Sequence, residues 1–213
     1  KPVVLYRTEA GAPVAMYGLC PHRYYPLALG KLVGDSIACG YHGFTFAANG
    51  KCVNIPSQGA GASFNQPSYR IEERGSICWI WMGDAERCDP ELIPPGKEFG
   101  LDEPGWCCSS HNYFHIRGRY QLLVDNLMDL THLPYVHHHI PGGEAMARTA
   151  MEEQERAGNY RLLRKSRLPW TPFHDLMWGP KNRYEGLADF LSLTEFYGPE
   201  FIQTGMPIFT AIN

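Results

Sequence analysis

Short runs of apolar and β-branched residues, separated by turn residues, dominate the first half of the chain. Residues 2–7 (PVVLYR) and 13–18 (PVAMYG) flank a glycine-containing turn, a pattern typical of a β-hairpin. The Asn49-Gly50 pair predicts a type I′ turn before the next strand. Further short strands are predicted at 36–39, 44–46 and 76–82. The first half is therefore predicted to be all-β.

A linker is predicted near residues 90–105. Between 83 and 106, glycine and proline residues break every periodic pattern of apolar positions. We therefore predict two domains, one at 1–95 and one at 105–213. Each is long enough to enclose a hydrophobic core of its own.

The second half mixes helical and strand-like patterns. Leucines recur at roughly helical spacing over 119–133, which predicts a helix whose regular part ends at Pro134. Residues 141–156 are glycine-rich and then charged, so we expect them on the surface, whereas 169–180 shows no clear period. Strands are predicted at 111–117, 160–164, 190–197 and 207–212.

Composition narrows the classes of function. The chain has 213 residues, of which 44% are hydrophobic and 19% charged, as in soluble globular proteins. A net charge of −3 offers no basic patch for a nucleic acid, and no apolar run is long enough to span a membrane. The seven cysteines show no disulfide framework, so we expect a reducing, cytoplasmic compartment. Both ends of the chain lie in predicted strands, so we expect a longer natural protein.

Two cysteine–histidine pairs are the strongest chemical signal. Cys20 and His22 are spaced C-x-H, and Cys39 and His42 follow as C-x-x-H. Two thiolates on one iron and two imidazoles on the other form the ligand set of a Rieske [2Fe–2S] cluster. The same four residue types can hold zinc, although zinc fingers usually pair like with like. Buried cysteines that lie near surface histidines by chance are a further alternative.

A second group of metal-binding residue types follows the predicted helix. Asp129, His132 and His137 are spaced D-x2-H-x4-H. Two histidines and one carboxylate further along the chain form the facial triad of non-haem Fe(II) oxygenases. At 3.6 residues per turn, positions five apart on a straight helix point about 140° away from each other. Both histidines reach one metal only if the helix is distorted, which we expect of Pro134. The alternative is a set of solvated histidines that bind no metal.

In these motifs the chain resembles the oxygenase component of the Rieske non-haem iron oxygenases. The subgroup it most resembles includes vanillate O-demethylase, dicamba O-demethylase and toluenesulfonate methyl-monooxygenase. The matching segments are CPHRYYPLALG at 20–30, CGYHGFTF at 39–46 and YQLLVDNLMDLTHLPYVH at 120–137. The resemblance implies an α+β fold, in which an all-β Rieske domain precedes a helix-grip-type antiparallel-sheet catalytic domain that is incomplete in this chain.

The resemblance also assigns ligands to the [2Fe–2S] cluster and to a mononuclear Fe(II). For the cluster, it implies that the two cysteines hold one iron and the two histidines of the same motifs hold the other. For the mononuclear iron, it implies His132 and His137 as ligands, with a third, carboxylate ligand beyond residue 213. Asp129 is implied as the bridge between the two centres of neighbouring subunits, and Asn126 as a residue near the iron.

The function implied is hydroxylation of a methyl or methoxy group on an aromatic substrate by O2. An NAD(P)H-dependent reductase or a ferredoxin would supply the electrons, and the protein would be a homotrimer. A Rieske ferredoxin and a ring-hydroxylating dioxygenase alpha subunit are the alternatives. A respiratory Rieske protein fits poorly, because Tyr25 and Tyr41 stand where its additional cysteines would fall.

Overall fold

The chain divides into two compact units, Lys1–His111 and Asn112–Asn213. The computed structural model describes residues 1–58, 64–75, 77–94, 104, 113–139, 142–156, 158–178, 184–198, 201–205 and 208–209. Most of the predicted linker, at 95–103 and 105–112, lies outside the described residues, and the domain ranges 1–95 and 105–213 stay predictions. In the described part, no helix is long and apolar enough to cross a membrane.

Two four-stranded antiparallel sheets form the first unit. The first sheet has the order β1-β2-β7-β8, from β1 (Val3–Arg7), β2 (Pro13–Tyr17), β7 (Ser68–Arg74) and β8 (Ile77–Trp81). The second has the order β3-β4-β5-β6, from β3 (Lys31–Val33), β4 (Ser36–Ala38), β5 (Thr45–Phe46) and β6 (Cys52–Asn54). The predicted hairpin is confirmed by the pairing of β1 with β2.

The core of the first unit contains both cysteines of the C-x-H and C-x-x-H motifs. Met16, Leu27 and Phe46 are fully buried at its centre. The remaining buried members are Val4, Val14, Cys20, Ile37, Cys39, Phe44 and Ile55. Burial of these apolar side chains stabilises the unit by about 25 cal/mol per Å² removed from water. The loops that carry the motifs are therefore anchored in the core.

The turn between β5 and β6 differs from the type I′ turn predicted at Asn49-Gly50. A type I′ turn needs positive φ at both central residues. Only Gly50 has one, at +80°, because Tyr24 is the sole non-glycine residue with positive φ in the described part of the chain. The Gly50 N–H donates to the Ala47 carbonyl at 2.8 Å, so Gly50 closes the turn and does not occupy its centre.

One antiparallel sheet and four short helices form the described part of the second unit. The strand order is β12-β11-β10-β9, with β13 also paired to β11. The strands are β9 (Met151–Arg156), β10 (Asn159–Pro169), β11 (Leu187–Gly198), β12 (Phe201–Gly205) and β13 (Ile208–Phe209). The helices are α1 (Tyr120–Met128), α2 (Leu133–Val136), α3 (Gly143–Arg148) and α4 (Pro172–Trp178). The α+β fold class is thereby confirmed.

The surface position predicted for 141–156 is confirmed for β9, whose charged side chains face water, and the described residues before it contain α3. The segment 169–180, for which no element was predicted, contains α4. One prediction for this unit was wrong. Residues 113–117 of the strand predicted at 111–117 form no strand, and the exposed Tyr113 and Phe114 lie there.

One face of the sheet lies against the helices, and we call it the helix face. Side chains alternate between faces along a strand, so every second residue of β10 and β11 shares this face. Helix α1 packs on β11 and α3 packs on β10. The helix face consists of Leu162, Arg164, Ser166 and Leu168 on β10, with Ala188, Phe190, Ser192 and Thr194 on β11.

Candidate metal centres

The two cysteine loops share one backbone hydrogen-bond frame. In each loop the cysteine N–H donates to the carbonyl five residues later, and the cysteine carbonyl accepts from the N–H four residues later. The pairs are Cys20 with Tyr25 (2.9 Å) and Tyr24 (2.8 Å), and Cys39 with Phe44 (2.8 Å) and Gly43 (3.0 Å). Tyr24 and Gly43, at equivalent places, both have left-handed φ, of 53° and 73°. The loops therefore present their histidines from matched frames.

Both thiols of the motif lie inside the first unit. Cys20 is 1% exposed and Cys39 is 5% exposed. Burial raises the pKa of the Cys20 thiol to about 11, and the adjacent Cys39 adds to the rise. A thiol binds metal as the thiolate, and a bound cation reverses this preference for the neutral form. The pair fits an inner iron.

The two histidines lie together on the outer side of the thiols. The ring centroids of His22 and His42 are 4.7 Å apart, and His22 stacks on Phe44 at 4.7 Å. His22 is half-buried, whereas His42 is exposed. Burial, followed by repulsion from His42 and Arg23, lowers the pKa of His22, which keeps its ring in the neutral form that binds metals. The four side chains thus fit a cluster with an inner and an outer iron.

A [2Fe–2S] cluster is held by two ligands on each of its two irons, whereas a single metal ion has all of its ligands around one position. Among the described residues, no three His, Cys, Asp or Glu side chains converge on the position of one metal ion. A structural zinc ion would require all four ligands within about 2.0–2.3 Å of one centre. Two buried thiols and two neighbouring histidine rings supply the ligand types of a [2Fe–2S] cluster, two of each.

Gln66 supports the first cysteine loop and was not predicted to do so from the sequence. Its side chain is 3% exposed and its Nε2 donates to the Leu19 carbonyl at 2.8 Å and to the Tyr17 carbonyl. Both acceptors lie directly before Cys20 in the chain. A single glutamine far away in sequence gives no local signal of this contact.

A break in the helix brings His132 and His137 together in the second unit. Helix α1 ends at Met128, and Asp129 adopts an extended conformation with φ −110° and ψ 105°. A short 3-10 turn and α2 follow, and the ring centroids of His132 and His137 are 5.4 Å apart. The distortion was predicted at Pro134, but Pro134 lies in the first turn of α2, and Asp129 makes the break.

Asp129 fixes the break through its side chain and its carbonyl group. Its Oδ1 accepts from the Thr131 N–H at 2.8 Å, which caps the following turn. Its carbonyl oxygen lies 2.7 Å from His132 Nδ1, which leaves Nε2 of that ring for a metal. Hydrogen bonds from Thr131 lower the pKa of Asp129, and the charges of Arg164 and His132 lower it further.

Asn126, which was predicted near this centre, and two histidines that were not lie at the surface. Asn126 is exposed on α1, one turn before Asp129. His138 and His139 are also exposed, and the His137 and His139 rings are 6.1 Å apart. The predicted third carboxylate ligand beyond residue 213 is outside this chain. Arg164 was not predicted at all, since a lone arginine in a strand carries no motif.

Both units match known protein families. The Rieske [2Fe-2S] domain matches residues 1–70, and the vanillate O-demethylase oxygenase C-terminal domain matches residues 116–185. The oxygenase component of dicamba O-demethylase from Stenotrophomonas maltophilia is 33% identical over 211 residues, covering 90% of this chain and 60% of that protein. The iron-sulfur subunit of the toluene-4-sulfonate monooxygenase system from Comamonas testosteroni is 42% identical over 138 residues, covering 64% of this chain and 39% of that protein.

The fold is also shared with solved structures. The crystal structure of dicamba monooxygenase bound to dicamba matches with a TM-score of 0.74 at 34% identity, covering 91% of this chain and 55% of that one. The chain therefore spans between 39% and 60% of the length of these relatives.

Proposed function

Because the chain belongs to the Rieske oxygenases, with a Rieske [2Fe-2S] domain and a vanillate O-demethylase oxygenase C-terminal domain, we propose that it acts as the terminal oxygenase of an aromatic monooxygenase or O-demethylase. The observation that supports this function is that one chain contains two separate sets of side chains of the types that bind metals. One set is formed by the paired cysteine loops, and the other by His132 and His137 at the helix break.

This function is favoured over the alternatives by the second unit. An electron carrier needs no second metal centre, whereas residues 116–185 match an oxygenase C-terminal domain. The two relatives are named as a monooxygenase system and an O-demethylase, which favours hydroxylation of a methyl or methoxy carbon over ring dihydroxylation.

Each side chain then has a role at a bound metal. Cys20 and Cys39 would hold the inner cluster iron, and His22 and His42 the outer one. When bound, the cluster supplies single electrons and the mononuclear Fe(II) supplies activation of dioxygen. The exposed edge of His42 faces the solvent, where an electron-transfer partner can approach.

The second unit would bind the mononuclear iron through His132 and His137. The Asp129 carbonyl orients the His132 ring, and the cap on Thr131 fixes the backbone between the helices. Asp129 would also bridge to the cluster of a neighbouring subunit, with Asn126 close to the iron and the third, carboxylate ligand beyond residue 213. These roles rest on the resemblance together with the pairing of the two histidines.

The proposed partners follow from the reaction. With a methoxy substrate, one oxygen atom of O2 enters the methyl carbon and the other leaves as water, using two electrons and two protons. The hydroxylated group then separates into a phenol and formaldehyde. An NAD(P)H-dependent reductase or a ferredoxin would supply the electrons. A homotrimer in the cytoplasm is proposed from the resemblance.

The first test is metal analysis of the full-length protein purified without oxygen. We expect about three irons and two acid-labile sulfides per chain, with the electron paramagnetic resonance signal of a reduced Rieske cluster. Formaldehyde release from methoxyarenes in the presence of NADH, a reductase and O2 then tests the reaction itself. Zinc without sulfide, or no product from any methyl- or methoxyarene, would contradict the proposal.

Two histidine variants test the second centre. His137→Ala should lose the third iron and product formation while it keeps the cluster signal. His139→Ala is the matched control, since it removes a histidine two residues away that is exposed and outside the D-x2-H-x4-H spacing. Loss of cluster iron in His137→Ala would refute the division into two centres. Asp129→Asn should keep all three irons yet form no product, and normal turnover would remove its bridging role.

A further inference from the structure

Each histidine of the two cysteine loops lies against an aromatic ring. His22 stacks on Phe44, with ring centroids 4.7 Å apart and an interplanar angle of 14°. Phe44 belongs to the buried core, so it supports His22 from inside the unit. His42 is exposed and lies against Tyr41, with ring centroids 3.8 Å apart and an interplanar angle of 40°. Tyr41 is itself 60% exposed, so its ring needs a support of its own.

Tyr25 connects the exposed Tyr41 to the core. The centroids of the two tyrosine rings are 6.0 Å apart, and their planes are tilted by 36°. Tyr25 is half-buried and packs against the hydrophobic core of the first unit. Because Tyr25 lies in the loop after Cys20 and Tyr41 in the loop after Cys39, this contact joins the two cysteine loops.

The backbone of the second loop permits the approach of Tyr25 at Gly40. A Cβ added to Gly40 would lie 3.1 Å from Cε1 and 3.2 Å from the hydroxyl oxygen of Tyr25, closer than ordinary van der Waals contact. The Tyr25 ring therefore lies directly on this backbone. The Gly43 N–H closes the same turn by donating to the carbonyl four residues earlier at 3.0 Å, and within the turn the rings of Tyr41 and His42 lie side by side.

An exposed ligand ring can turn away from its metal unless neighbouring groups orient it. Tilted aromatic pairs stabilise such an orientation beyond the area that they bury. We propose that Tyr25 and Tyr41 are positioning residues, in which Tyr25 supports Tyr41, and Tyr41 orients the ring of His42 and shields one of its faces from water. This inference rests on the proposed function, because it takes the cluster ligands from there.

The reduction potential of the cluster tests the role of Tyr41. It would be measured on the full-length protein by redox titration followed with electron paramagnetic resonance. Tyr41→Ala should raise the potential, because water that reaches the outer histidine stabilises the added negative charge of the reduced cluster. Tyr41→Phe should keep the wild-type potential, since it keeps the ring and loses only the hydroxyl group. An unchanged potential in Tyr41→Ala, or an equal rise in Tyr41→Phe, would overturn the inference.

Loss of iron from the reduced cluster tests the contact between the two tyrosines. A ferrous chelator added without oxygen would report the rate by the absorbance of its iron complex. Tyr41→Ala should lose iron about two- to tenfold faster than wild-type protein, the factor that corresponds to one aromatic contact. Tyr25→Ala should also lose iron faster, but its effect should be smaller when residue 41 is already alanine, because the two residues act through one contact. Equal effects of Tyr25→Ala in both backgrounds would refute the support assigned to Tyr25.

Tyr24→Ala is the matched control, because Tyr24 precedes Tyr25 in the same loop with a side chain that is 70% exposed. None of the ring contacts within the described part of the chain includes Tyr24, so its potential and its rate of iron loss should equal those of wild-type protein. The circular dichroism of Tyr41→Ala should also match wild type, and a changed backbone spectrum would indicate a general structural role and overturn the inference. Tyr41→Leu keeps apolar bulk without a ring, so it should reproduce Tyr41→Ala, and it replaces that variant if alanine prevents folding.

The outcomes separate this inference from the proposed function. A wild-type protein without a Rieske signal would refute the proposed cluster ligands and this inference together. A normal wild-type signal, with Tyr41→Ala and Tyr41→Leu both equal to wild type in potential and in iron loss, would refute this inference alone. Neither measurement uses a substrate, so both are independent of product formation.

Discussion

Gln66→Leu should destabilise the first unit by weakening the strand that leads into Cys20. Gln66 is 3% exposed, and its amide is the donor to the carbonyls of Tyr17 and Leu19, the latter at 2.8 Å. Leucine fills a similar volume but donates nothing, so the two part-buried carbonyls lose this partner. The change therefore removes hydrogen bonds without opening a large cavity.

The expected size follows from the number of groups left unsatisfied. Each buried polar group without a partner costs about 1–3 kcal/mol. The Oε1 atom of Gln66 has no hydrogen-bond partner among the described residues, so its removal offsets part of the loss. A net destabilisation of about 2–4 kcal/mol should lower the melting temperature by roughly 8 °C or more in a unit of this size.

Thermal unfolding followed by the visible absorption of the cluster would measure this effect in the first unit. Circular dichroism on the same sample would report the backbone. Gln58→Leu is the control, since Gln58 is exposed and a surface change of this kind stays within about 0.5 kcal/mol. If Gln66→Leu loses its cluster absorption within about 2 °C of the wild-type temperature, the support assigned to Gln66 is refuted.

Three further changes test the packing of each unit by melting temperature and urea unfolding. Gly50→Ala should lower the free energy of unfolding more than Gly11→Ala does. Both residues have left-handed φ, but an added Cβ at Gly50 would lie 1.9 Å from the Gln66 carbonyl oxygen, whereas Gly11 has open space around it. Equal losses of stability in the two variants would refute this clash. Burial lowers the pKa of His174 below its ordinary 6.5, so wild-type stability should be full above pH 6.5 and fall as the pH drops below it. His174→Gln should flatten that decline, and an unchanged dependence of stability on pH would contradict its assignment to His174. Glu195→Leu should cost about 3–5 kcal/mol, because a buried ion pair loses its carboxylate, and a loss below about 1 kcal/mol would show that the pair contributes little to stability.

The parts of the candidate site that were predictable depend on local chemistry. The C-x-H and C-x-x-H spacings pointed to His22 and His42 as one pair, and in the structure the centroids of their rings are 4.7 Å apart. The helix break was predicted from the ligand geometry, but at the wrong residue. Asp129 is a preferred residue for capping a helical turn, and that preference was the signal that would have located the break.

The parts that were missed depend on position within a sheet. Strand β9 reads as a charged surface segment because it is an edge strand, whose exposed face favours Glu and Arg over apolar residues. Arg164 is inward and Arg167 outward only because β10 pairs with β11 in one register. A shift of this pairing by one residue would exchange the two faces of β10, and the register of pairing cannot be predicted from the sequence of one strand alone.

The hydrogen bonds from Gln66 to residues far back in the chain also bear on the order of folding during synthesis. Gln66 lies 47 residues beyond Leu19, whose carbonyl it holds, and the pairing partner of β2, strand β7, begins two residues later. At about 5–20 residues per second, a ribosome completes the first cysteine loop roughly 2–9 s before Gln66. The cysteines thus leave the ribosome well before the contacts that fix them. Until Gln66 has been made, the carbonyls of Tyr17 and Leu19 lack its amide, so the segment that leads into Cys20 reaches its final contacts only when a region outside both cysteine motifs has emerged.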